Sequence, residues 1–164
     1  MYITTSKNAD VQAIALAKSL ASILPGITYL PRSKRPLDKL AEICDKKSND
    51  ALLVIMQKDT QTRILKYTHA KENEWEWCLN TLEISDVQTT KIQMELPVEY
   101  CPQDKDSQDI CKYFEFRNSP DLRVYAPEER TEITIHTKKN LLNMQIGTQG
   151  ILSAKYRWTK WQRE

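Results

Sequence analysis

The order of apolar and polar segments predicts an α/β protein (α+β mixed sheets), and three observations carry that prediction. A β-prone run at Tyr2 to Thr5 is followed by a long apolar helical pattern, a second β-prone run and a second helix. That alternation is the signature of a parallel βαβ unit. Ala51 to Met56 is then continuously apolar, as expected of a strand covered on both faces. Around Ser85-Asp86 the pattern restarts with strand, helix and several strands, so one domain over 1–164 reads as two similar halves, about 1–85 and 86–164.

Taken in order, the first helix is expected from Ala9 to Leu24, with Asn8 as its N-cap and Asp10 at its positive end. Val11, Ile14, Leu16, Ala17, Leu20, Ala21 and Leu24 wrap most of its circumference, which predicts a mostly buried helix. Pro25-Gly26 stops it, Ile27 to Leu30 is the second strand, and the basic loop Pro31-Arg-Ser-Lys-Arg35 leads into a helix from Pro36 to Lys46. Proline suits a first turn, where its missing N–H costs nothing. Leu37, Leu40, Ala41 and Cys44 form the apolar face of that helix. Beyond the Ala51 run, Asp59 to Gln61 reads as a turn, Arg63 to Thr68 as a returning strand, and Lys71 to Glu74 as another turn. Trp75, Trp77 and Leu79 alternate with Glu76 and Cys78, placing both indoles on one strand face. In the second half, Thr89 to Leu96 reads as a strand, Pro97 and Pro102 as loop punctuation, and Asp106 to Tyr113 as a helix. Phe114 to Arg117, Leu122 to Ala126, Thr131 to His136, Leu141 to Ile146 and Ile151 to Trp158 are expected strands.

A chain of 164 residues buries roughly 70% of its unfolded surface without help from disulfides or metal. The longest apolar run, Ala51 to Met56, is far short of the ~20 residues that cross a membrane, and no secretory signal opens the chain. Cys44, Cys78, Cys101 and Cys111 form no CxxC pair, and neither histidine joins them at zinc spacing, so reduced thiols in a cytoplasmic protein are expected. Asp104, Asp106, Gln108 and Glu115 are spaced like a calcium loop, but Asp109 stands where that loop needs glycine. Acids capping a helix N-terminus explain the run better. His69 and His136 lack a partnered nucleophile, and no GxxxxGK[ST], GxGxxG or GxSxG occurs. The expectation is therefore no enzyme, no cofactor, no metal and no small-molecule substrate.

Net charge is only +2, but Lys7, Lys18, Arg32, Lys34, Arg35 and Lys39 make the front basic, and Lys155, Arg157, Lys160 and Arg163 make the end basic. The stretch between Glu72 and Glu132 is rich in acids. If the first two strands lie side by side, their C-terminal ends place Thr5, Ser6 and Lys7 beside Arg32, Lys34 and Arg35 on one edge. Two helix N-termini would point at the same edge, making a phosphate-binding rim. Trp75 and Trp77 are expected in packing, while Trp158 and Trp161, interleaved with basic residues, suit a binding tail or a docking segment.

The run Ile3-Thr-Thr-Ser-Lys7, the apolar helix ending Ile23-Leu-Pro-Gly26, and Tyr29-Leu-Pro-Arg32 resemble the opening of the Brix domain. Phe114-Glu-Phe-Arg-Asn118 and Glu132-Ile-Thr-Ile-His136 resemble its second half. The resemblance covers nearly the whole chain. It implies two α/β halves, each like the anticodon-binding domain of class II aminoacyl-tRNA synthetases, in a bare, archaeal type of the domain. It further implies a ribosome-biogenesis protein that binds ribosomal RNA precursor and assists rRNA processing and subunit assembly beside other assembly proteins. Lys7 departs from the usual arginine, Ala9 from a usual proline, and Asp59-Thr-Gln61 from a glycine-containing turn. The phosphate contacts expected are Lys7, Arg32, Lys34 and Arg35, supported by Thr5 and Ser6, with Arg117, Lys138 and Lys139 from the second half. The alternative is a protein-interaction adaptor in an assembly complex without RNA contact.

Overall fold

The computed structural model describes residues 1–58, 61–72, 74–94 and 97–161. The chain divides into one compact unit of residues 1–85 with 157–164, and another of 86–156. Among the described residues no helix is long and apolar enough to cross a membrane.

In the first unit, β1 (Tyr2–Thr5), α1 (Val11–Ile23), β2 (Thr28–Tyr29), α2 (Leu37–Lys46) and β3 (Ala51–Lys58) make the expected βαβ arrangement. β1 lies between β2 and β3 and is parallel to both. β4 (Gln61–Lys71) returns antiparallel beside β3, and β6 (Asn80–Thr89) follows it. The short β5 (Glu74–Trp77) pairs with the far half of β4. The end of β10 (Gln149–Lys160) lies beside β6, where Trp161 N–H donates to the Leu79 carbonyl at 2.6 Å. Right-handed crossovers out to β2 and back to β3 put α1 and α2 on opposite faces. Leu40, Ala41 and Cys44 of α2 pack on Leu52, Val54, Leu65 and Tyr67, while Leu53 and Ile55 are buried on the other side. The unbroken apolar run of β3 is therefore required by its two covered faces. Each such fully buried leucine or isoleucine contributes about 1.5–3 kcal/mol.

Several local expectations change. Asp10, not Asn8, caps α1: its carboxylate accepts from Ala13 N–H at 2.8 Å, and a turn closed by Ala9 N–H on the Ser6 carbonyl (3.3 Å) lowers the chain from the sheet first. The buried face of α1 is only Ala13, Ala17, Leu20 and Ile23, and Val11 is 81% exposed. Small alanines let this helix sit close to the sheet along one narrow stripe, leaving the other apolar positions half-covered. The restart read at Ser85-Asp86 falls at the boundary between the two compact units, within a strand rather than a loop. β6 runs straight through it, with Asp86 taking a left-handed backbone angle of 49°. Of the expected strand Thr89 to Leu96, only Thr89 is extended, positions 90–94 are irregular, and positions 95 and 96 lie outside the described residues. The turn at Asp59 to Gln61 and the basic Arg163 also fall wholly or partly outside them.

In the second unit, β7 (Val98–Pro102), α3 (Lys105–Tyr113) and β8 (Thr131–Lys138) form another strand, helix, parallel strand crossover, and β9 (Leu141–Ile146) and β10 follow antiparallel. The prolines that read as loop punctuation bracket a strand. β7 is the edge, and Pro102 ends it, so neither proline interrupts a ladder on both sides. Phe114 to Arg117 is not a strand: Phe114 caps α3, Glu115 takes φ 52°, and Phe116 stacks between Tyr100 (4.6 Å) and Phe114 (5.2 Å). Leu122 to Ala126 is mostly a 3-10 turn over Leu122–Val124, with a second turn at Pro127–Glu129. Asp104 caps α3 in a reciprocal arrangement with Ser107, which is the helix-capping role expected of this acidic run. All four cysteines are free thiols, with Cys44 buried.

Candidate nucleic-acid interface

The C-terminal edge of β1, β2 and β3 is built by two loops that meet. Thr5 ends β1, Ser6 N–H continues its ladder onto the Ile55 carbonyl at 2.9 Å, and Leu30 N–H continues that of β2 onto the Ile3 carbonyl at 2.8 Å. Beyond that point the Arg32 guanidinium reaches across from the second loop. Its Nη1 donates to the Thr5 carbonyl at 3.3 Å and its Nε to the Arg35 carbonyl at 2.9 Å. Arg35 in turn donates from Nη2 to the Pro31 carbonyl. Arg35 N–H closes a turn on the Arg32 carbonyl at 3.1 Å, with Ser33 at φ 50°. A left-handed serine costs about 1–3 kcal/mol, so the clasp around it must hold the loop in shape.

This geometry sorts the residues named from sequence. Lys7 and Lys34 are exposed and have no acidic partner among the described residues. Ser6 is half-buried beside them. Arg32 and Arg35 are half-buried and donate inward to carbonyls, so they shape the rim before they can contact anything outside it. Burial lowers the Arg32 pKa, yet the group stays a cation, as guanidinium does at any ordinary pH. Thr5 is 2% exposed, so its hydroxyl is not displayed on the rim, and Thr4 is buried with a hydroxyl that has no partner. Only one of the two helix ends is open. Asp10 fills the N-terminus of α1, whereas α2 begins at Pro36 with no side-chain cap.

In the second unit the corresponding edge is already occupied by an anion of its own. The Asp104 carboxylate accepts from Thr137 N–H (2.7 Å), the Thr137 hydroxyl (2.5 Å) and Ser107 N–H (2.8 Å). Burial works against its ionisation, but these bonds outweigh it and hold its pKa down at about 2. Lys138 ends β8 and Lys139 occupies a two-residue hairpin turn in which both it and Asn140 have positive φ, the type I′ geometry. Arg117 is not brought to them. It precedes Asn118 and Ser119, which cover the outer edge of β7 by accepting from Tyr100 N–H and Val98 N–H at 2.8 Å each. Tyr100 pairs with Ile133, well short of Lys138 along β8. The three second-half candidates therefore do not form one patch.

One charged constellation had no signal in the sequence. Glu83 on β6 is 6% exposed and receives Arg63 Nε at 2.9 Å on one oxygen and Arg157 Nε at 2.9 Å on the other. Burial alone would raise its pKa, but the hydrogen bonds and charges of Arg157 and Arg63 carry it below the ordinary carboxylate range. Arg157 thus has a structural partner. The residues are far apart in the chain, and only strand pairing joins them.

No family model matches the chain, and no curated protein matches it. Solved structures do. The crystal structure of a probable ribosomal biogenesis protein from Aeropyrum pernix K1 superposes with a TM-score of 0.66 at 14% identity, covering 94% of this chain and 93% of the other. The crystal structure of Mil, an archaeal Imp4-like protein, superposes with a TM-score of 0.68 at 13% identity, covering 98% of this chain and all of the other (100%). The chain therefore has the mixed α/β fold of these two archaeal proteins, the Brix-type fold that its opening and second-half motifs resemble.

Proposed function

We propose that this chain is a ribosome-assembly factor that binds ribosomal RNA precursor through the rim of its first unit, and that it works in the cytoplasm without catalysing a reaction. The carrying observation is the Arg32 clasp. It brings the two loops together and leaves Lys7 and Lys34 exposed on them, Lys34 just ahead of the uncapped start of α2. Open α/β sheets bind ligands outside the carboxyl ends of their strands, where successive helices leave toward opposite faces, and this rim is such a place. Exposed lysines and unfilled N–H groups suit phosphate oxygens, with no demand on base identity. The similarity in fold to a probable ribosomal biogenesis protein and an Imp4-like protein supports the same reading. The strand, helix, parallel strand core present in both units supports regarding them as a duplicated domain.

The test is a filter-binding titration against structured rRNA fragments at low and moderate salt. Lys7→Ala with Lys34→Ala should weaken binding and flatten the salt dependence by about one slope unit per lost phosphate contact, without loss of stability. Arg32→Ala should weaken binding too, but with a loss of about 1–3 kcal/mol in folding stability as two carbonyls lose a charged donor. Unchanged affinity and slope in the lysine double variant refute the rim. Absence of binding by the native chain at low salt favours the adaptor reading.

A further inference from the structure

The first unit has a second concave surface at the other end of its strands, where β5 pairs with Tyr67 to Lys71 of β4. A cleft of about 710 Å³ runs between α2 and β5, with Tyr67 and Trp75 at its base. It continues into a groove of about 400 Å³ formed with Trp77, Leu79 and Trp161. The rings make one cluster: Tyr67 lies 5.4 Å from Trp75 and 4.8 Å from Trp77, and Trp77 lies 5.8 Å from Trp161. Packing alone explains part of this, since Tyr67 is buried in the core beneath α2. It does not explain why all three indoles stay partly open, or why Leu79 beside them is 74% exposed.

The walls are acidic. Asp38, Glu42 and Asp45 line one side at the spacing of a single helix face, and Glu74 and Glu76 line the other. Glu42 pairs with Lys39 at 3.2 Å, while Asp45 accepts from Trp75 Nε1 at 3.3 Å and lies 3.9 Å from His69. Asp38, Glu74 and Glu76 have no cationic partner among the described residues. Aromatic faces and carboxylates on opposing walls both attract cations, and arginine above all, because its planar fork stacks on rings and pairs with carboxylates. The same carboxylates repel phosphate.

We propose that this cleft binds an extended arginine- or lysine-bearing segment of a protein partner, with cationic side chains over the indoles and between the carboxylates of α2 and β5. This site is separate from the rim and does not depend on RNA binding there.

A synthetic extended peptide alternating arginine with serine serves as probe, titrated into the native chain while tryptophan fluorescence is followed. Its counterpart with citrulline in place of arginine keeps the shape and removes the charge. The arginine peptide should bind, the citrulline peptide should bind at least about tenfold more weakly, and Glu74→Gln with Glu76→Gln should cause a similar loss. Asp38→Asn, on the opposite wall, should weaken binding as well, whereas Lys34→Ala should leave it unchanged. Equal binding of the two peptides, no binding of the arginine peptide, or undiminished affinity in the wall variants would overturn the proposal. So would displacement of the peptide by an rRNA fragment, or dimerisation of the chain through this face in sedimentation.

Discussion

Replacing Asp104 by asparagine should separate the two edges of this protein by their use of negative charge. Asp104 receives two donors from Thr137 and one from Ser107, tying the start of α3 to the end of β8. Its pKa falls from 3.8 to about 2. At ~1.4 kcal/mol for each pH unit of that gap, the ionised group contributes roughly 2.5 kcal/mol, reduced to about 1–2 kcal/mol by the water that reaches a half-buried carboxylate. A depressed carboxylate stabilises fully above its unfolded pKa and loses that contribution as pH falls through its folded value. The native chain should therefore lose this stability between about pH 4 and pH 2. Asparagine can still cap the helix, but it carries no charge. Urea unfolding should place Asp104→Asn about 1–2 kcal/mol below the native chain at neutral pH, with the two curves converging near pH 2. Its affinity for rRNA should be unchanged, because this helix end is filled from within. Parallel stability curves across that pH range would refute the role assigned to Asp104, and altered RNA affinity would refute the assignment of binding to the first unit.

The buried Thr4 hydroxyl has no hydrogen-bond partner, so Thr4→Val, which keeps the branched shape, should raise stability by about 1 kcal/mol and shift the urea midpoint upward without changing the slope. Glu83→Gln should destabilise by about 2 kcal/mol in the same assay. This is less than the 3–5 kcal/mol of a wholly buried pair, because Arg157 is 63% exposed and Arg63 29% exposed, and both can hydrate when the charge is gone.

Elements whose formation is governed by neighbouring residues were legible without coordinates. The βαβ opening, the apolar strand at Ala51, the amphipathic α2, α3 and the β8 and β9 strands all follow from periodicity and punctuation within a few residues. Errors arose where a partner overrides the local signal. Pro97 and Pro102 read as loop until β8 supplies a parallel neighbour for the segment they bracket. Phe114 and Phe116 look like strand residues because both are apolar at period two, yet they turn inward to stack on each other and on Tyr100.

The candidate site divides in the same way. That two basic loops flank the first parallel pair could be read from residue order, since parallel strands must end on a common edge. Which of their cations face outward could not, because that depends on carbonyls left open at a strand end and a loop. Arg32 and Arg35 are drawn inward by those carbonyls, Thr5 is covered by the sheet, and Lys7 and Lys34 remain in water. The glutamate shared by Arg63 and Arg157, and the acidic aromatic cleft between α2 and β5, were equally invisible. Sequence determines local geometry through short-range sterics and hydrogen bonding. The ownership of each charge is decided only when distant segments compete for the same donors and acceptors in the folded chain.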